Sequence, residues 1–154
     1  MLMRMFSVLV AAVLCGAAFA SERSGAAEKE DKDFIQGTWR MIEWQRPGQE
    51  TLHAGPTVYF EGNHLYFLRK NEFTKDMDRV NLTEFHLDPG KTPKQIDLVQ
   101  LDGPNKGKTF KGIYELTGDQ LRVCVNDEDH LASERPTEFK TDGGRAVVVR
   151  EREK

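Results

Sequence analysis

Several short stretches of this chain carry residue types that do chemistry elsewhere, and spacing decides what each can do here. GPNKGKT, Gly103 to Thr109, has the glycines, lysine and threonine of a phosphate-binding loop. Such a loop needs four residues between its glycines and a following helix, whose N-terminal amides hold the anion. Here three residues intervene and a strand-like run, TFKGIYEL, follows, so a hairpin loop is expected. His53, His64, His86 and His130 stand singly, without the H-x-H or H-x-x-x-H pairing that seeds a metal site. The acidic turn Asn126-Asp127-Glu128-Asp129 lacks the regular oxygen spacing and central glycine of a calcium loop. No metal and no cofactor are expected.

Nucleophiles are equally sparse. Beyond residue 20 the serines are Ser21, Ser24 and Ser133, none within G-x-S-x-G. Cys124 lies in the alternating run LRVCV rather than at a helix start, which predicts a buried, unreactive thiol. No group of residues offers a nucleophile with a base, so an enzyme is not expected. Asp97 sits between Ile96 and Leu98, where alternation alone does not decide its face. Pointing inward it would need a partner, and Arg135 of ERPTEF is the candidate for a structural ion pair. Asn81-Leu82-Thr83 matches a glycosylation sequon by composition only.

The elements that would position these residues are short. From Asp33 onward the apolar residues alternate in runs bounded by Gly, Pro, Asn and Asp, with no sustained 3.6-residue period, which argues for an all-β domain. The runs are 38 to 46, 57 to 61, 64 to 69, 80 to 87, 95 to 101, 109 to 116, 120 to 125, 136 to 140 and 145 to 151. Gly62-Asn63, Thr117-Gly118-Asp119 and TDGG are tight hairpin signals, and DPGKTPK is a Pro and Gly loop. Hairpin following hairpin favours an antiparallel up-and-down barrel of eight to nine strands over a Greek-key sandwich, and closure removes exposed edges. Asp33-Phe34-Ile35-Gln36 is expected to form a short helical turn plugging one end. The core or lumen candidates are Val58, Phe60, Leu65, Phe67, Phe85, Leu87, Ile96, Leu98, Tyr114, Leu116, Leu121, Val123, Val125, Val147 and Val149.

The chain begins with MLMRMFSVLVAAVLCGAAFA, one basic residue, a short apolar run and Ala18-Phe19-Ala20, the pattern of a signal peptide cleaved near Ala20. The alternative is a lipid anchor on Cys15, against which stands the bulky Leu14 before it. Export to the periplasm or beyond follows, with residues 21 to 32, SERSGAAEKEDK, as a charged, disordered tether and 33 to 154 as one domain. Loss of Arg4 takes the formal charge of −3 to about −4. Basic and acidic side chains interleave, which suits a solvated surface and gives no groove for nucleic acid. No second long apolar stretch predicts a membrane span. Cys124 would be the only cysteine after cleavage, so no internal disulfide is expected.

FIQGTWRMIEW, TPKQIDL, GKTFKGIYELTGDQLRVCV, ERPTEF and VVVRER together resemble a small lipocalin-like domain family of unknown function from planctomycete bacteria, and they cover nearly all of the chain from Phe34. The resemblance implies a lipocalin-like, calycin-type barrel on an exported protein, with no established activity. It also implies a closing signature. Gly37 and Trp39 would open the first strand, with a C-terminal arginine packed over the indole: Arg150 as the match, Arg152 as the alternative. The Thr-Asp-Tyr turn of ligand-carrying lipocalins is missing.

Two readings follow. In the first, a non-enzymatic module binds a small apolar ligand at the open end, in a lumen lined by Phe60, Phe67, Phe85, Leu98, Tyr114, Leu116 and Val123. In the second, the barrel is packed shut and works as an envelope structural or protein-interaction module through its outer face, where Trp44 would be exposed beside Ile42.

Overall fold

The computed structural model describes residues 29–154; the expected signal peptide, Cys15 and residues 21–28 of the expected tether lie outside them. Eight antiparallel strands close into one barrel in chain order: β1 (Gly37–Gln45), β2 (Thr57–Glu61), β3 (His64–Lys70), β4 (Met77–Asp88), β5 (Gln95–Gln100), β6 (Thr109–Thr117), β7 (Gln120–Asn126) and β8 (Arg145–Arg152), with β8 pairing back onto β1. This is the all-β up-and-down barrel that the alternating runs predict, in the lipocalin-like form that the resemblance implies. Among the described residues no helix is long and apolar enough to cross a membrane. The outer face carries charged pairs, Arg40 with Glu151 and Arg79 with Glu61, the reverse of the apolar outward band of membrane barrels.

The ninth run, 136 to 140, is not a strand. Residues 120 to 126 of β7 pair directly with 145 to 151 of β8, so closure leaves no free edge for 136 to 140 to join. The turn chemistry was nonetheless legible, because Gly143 and Gly144 take positive φ of 64° and 73° just before β8. Residues 127 to 144 instead fold back over the outside of the sheet. Pro136 is fully buried there, and Phe139 packs on a second core of Ile113, Cys124 and Val147, aligned across β6, β7 and β8.

That overlay corrects the face assigned to β8. Val147, expected inside, faces outward beneath Phe139. Val123 pairs with Val148 and Leu121 with Arg150, so the even-numbered residues of β8 face the interior. A β-bulge at Ile42 makes the same change in β1: Met41 pairs with Arg150, but Glu43 pairs with Val149 and Trp44 with Val148. One extra residue inverts the alternation. Trp44 is therefore half-buried and turned toward the interior rather than exposed on the outer face.

The main core fills the end of the barrel at which the chain enters. Trp39, Val58, Phe60, Leu65, Phe85, Leu87, Ile96, Tyr114 and Leu121 are buried together, with Ile35 beneath them and Phe60 and Phe85 edge to face at 5.2 Å. The helical turn over 29–34 seals this end. Its described part reaches four residues ahead of the expected domain boundary, and its Asp31 accepts from Lys94 Nζ at 2.7 Å and from the Tyr114 hydroxyl at 2.5 Å. Gln36 exchanges hydrogen bonds with Gly62, tying the turn to the β2–β3 hairpin.

Candidate functional site

The closing signature is built from both ends of the chain. Gly37 has φ of +103°, a conformation open to glycine and strained for other residues. It delivers Trp39, wholly buried, whose indole N–H donates to Ile35 O at 2.7 Å. The arginine over Trp39 is Arg152, not Arg150. Its guanidinium lies 4.3 Å from the ring centroid, donates from Nη1 to Gln36 O at 2.7 Å and from Nη2 to Phe34 O, and has Asp119 3.4 Å from Nε. Register explains the correction: Arg152 is the cross-strand partner of Trp39, and Arg150 stands two residues further along the inner face, opposite Met41.

The other end of the barrel is open, and it contains a cavity of about 190 Å³. Met41, Trp44, Phe67, Phe110, Val125, Ala146 and Val148 supply apolar walls; Pro56, Asn126 and Asp127 border it; Arg150 faces it from the floor. Of the seven expected lining residues, only Phe67 borders this space. Phe60, Phe85 and Tyr114 belong to the packed core, and Leu98, Leu116 and Val123 pack against it. Of the walls that the sequence reading missed, Trp44 lies on β1 beyond the bulge and Ala146 and Val148 at even positions of β8, where strand phase differs from the expected one; Met41 precedes the bulge and Phe110 belongs to β6. Alternation in RAVVVRER fits either face at its three central valines, and Arg150 on the inner face is the signal that sets the phase.

Arg150 is only 9 % exposed. Nη1 donates to Pro56 O at 2.8 Å, and among the described residues it forms no ion pair. Burial pushes its pKa down to about 10. Asp97 and Arg135 are brought together outside the barrel, with Arg135 Nη1 2.8 Å from Asp97 Oδ1. The two hydrogens on Nη1 are directed to Ile96 O (3.0 Å) and Gly112 O (2.9 Å), so the carboxylate contact is electrostatic rather than a directed hydrogen bond.

Cys124 is fully buried, its Sγ 3.5 Å from Lys140 O, and burial raises its pKa. We predict that an alkylating reagent leaves it unmodified in the folded protein and labels it in full after denaturation; rapid labelling of the native thiol, read by mass spectrometry, would contradict this. The four histidines remain apart, His86 lying 3.5 Å from Glu84. Among the described residues no three His, Cys, Asp or Glu side chains converge to hold a metal ion. Gly103 to Thr109 forms a turn between β5 and β6, closed by Gly107 N donating to Gln100 O.

Fold and geometry together define an eight-stranded lipocalin-like barrel, packed at one end and hollow at the other. No family model and no curated protein matches the chain. A crystal structure of an uncharacterized protein from Bacteroides eggerthii DSM 20697 is similar to it at 16% identity and a TM-score of 0.44, over 75% of this chain and 98% of that one.

Proposed function

We propose that this is a non-enzymatic, exported lipocalin-like module that holds a small, largely apolar molecule in the open half of its barrel. The observation that carries the reading is the 190 Å³ cavity with mainly apolar walls above a closed core. Small ligand sites combine such walls with a few polar groups, and an apolar cavity of about 150 Å³ is enough to take benzene. Membership of the planctomycete lipocalin-like family belongs to the same proposal, supported by motifs that land on coherent elements: GIYEL on β6, LRVC on β7, RPTEF in the overlay. Export rests on the first twenty residues of the sequence.

The test is a titration with toluene followed by two-dimensional NMR. Resonances of Trp44, Ala146 and Val148 should shift saturably, with a Kd on the order of 1 mM or tighter. Ala146→Leu, which grows a side chain into the cavity, should weaken binding about tenfold or more. Unshifted resonances in the wild type would overturn the reading. A second reading, a protein-interaction module, draws on Leu52, Phe73 and Met77, large apolar residues left exposed at the open-end rim.

A further inference from the structure

The cavity is apolar except at one place, and that place is a cation. Arg150 is nine-tenths buried on β8, facing the interior of the barrel. A guanidinium offers five N–H donors in a planar fork, and among the described residues a single carbonyl, Pro56 O, takes Nη1. The guanidinium nitrogens left over are not sealed in protein without a partner, as buried orphans would be; the residue borders the cavity. The carboxylate that also borders the cavity, Asp127, turns Oδ1 to the Glu128 amide at 2.7 Å. At the same end, Arg46 stacks 4.4 Å from the centre of the Trp44 ring, which adds positive charge beside a cavity wall.

Burying a cation without a counter-ion is costly, and apolar residues of similar volume in such places often stabilise a protein. A methionine would fill the position at no such cost. Arg152, by contrast, is spent on the seal: its donors go to Gln36 O and Phe34 O, and it lies over Trp39. Arg150 takes no part in that seal. The chemistry that completes a half-satisfied planar cation in an apolar hollow is a carboxylate, accepting two parallel N–H bonds while its hydrocarbon part occupies the walls.

Building on the cavity reading above, we infer that the barrel binds a small monocarboxylate with a short apolar body, its carboxylate on Arg150 and its tail against Trp44, Phe67, Ala146 and Val148.

The test compares hexanoate with hexanamide, matched in size and differing in charge, by calorimetry and NMR on the purified protein. Wild type should bind hexanoate at least tenfold more tightly than hexanamide. Arg150→Met should lose that preference while still taking up hexanamide, and should melt no lower than wild type because a buried charge is removed. Arg150→Lys, which keeps the charge and loses the fork, should retain part of the preference. Equal binding of the two compounds by wild type, or an undiminished preference in Arg150→Met, overturns the assignment of the anion and leaves the cavity reading standing. Binding of neither compound overturns both.

Discussion

Trp39→Ala is expected to lower the unfolding free energy by about 3–5 kcal/mol, the range for removing a large aromatic side chain from a closed core. Trp39 is wholly buried among the residues that plug the barrel. Its removal costs three things together. The indole packing is lost from the centre of the core, Ile35 O loses the donor 2.7 Å away, and Arg152 loses the ring it covers at 4.3 Å. Arg152 also bonds the carbonyls of Gln36 and Phe34, so the alanine variant should loosen the helical turn and the C-terminal strand together. Trp39→Phe separates the contributions. It keeps an aromatic ring under the guanidinium and loses the N–H donor and some volume, and a cost of about 1–2 kcal/mol is expected. Urea denaturation followed by far-UV circular dichroism measures both. A loss below about 1 kcal/mol for Trp39→Ala would mean that the closed end is held by Asp31, Lys94 and Tyr114 rather than by the indole.

The same residues show how far the sequence could be read. Strand order and turn positions followed from Gly, Pro and Asn punctuation, because turn chemistry is local, and the expected eight to nine strands resolved to eight once 136 to 140 lay over the sheet. Strand phase in β1 and β8 did not follow, because it depends on a bulge and on which neighbour closes the barrel. Ile42 gives no sign in MIEW that it is the extra residue, and a run of three valines in β8 has no polar member to mark its outer face. The ion pair of Asp97 with Arg135 was legible as a pairing of charges, yet its setting was not: Arg135 also bonds two backbone carbonyls of β5 and β6, which places it over the outside of the sheet. The motifs most distinctive in the sequence meet on that outer side. Gly112 lets β6 lie close to β7, where an added Cβ would stand 2.6 Å from Cys124 O; Arg122 stacks on Phe139 at 4.5 Å; and Cys124 lies under the same ring. Those residues build the scaffold, while the cavity draws on other members of the same stretches, Met41 and Trp44 of FIQGTWRMIEW, Phe110 and Val125 of GKTFKGIYELTGDQLRVCV, and Val148 and Arg150 of VVVRER, whose inward direction depends on strand phase.

If residues 127 to 144 are fastened chiefly by Arg135, then Arg135→Met should destabilise the protein by about 2–3 kcal/mol, most of it from the two carbonyls left without a charged donor. The ion pair itself contributes little. The Asp97 side chain is 37 % exposed, and a pair open to water to that extent is worth under about 1 kcal/mol. Asp97→Asn should therefore cost under about 1 kcal/mol, although it removes the same salt bridge. The two variants should differ at a second site as well. Cys124 is shielded by the overlay that ends at Phe139 and Lys140, so releasing the overlay in Arg135→Met should speed alkylation of the native thiol, while Asp97→Asn should leave it protected. Should Cys124 stay unlabelled in Arg135→Met, the overlay would be held by Pro136, Phe139 and the Asn126 amide, which donates to the carbonyls of Ser133 and Glu134. Asn126→Ala would then be the substitution that lifts it.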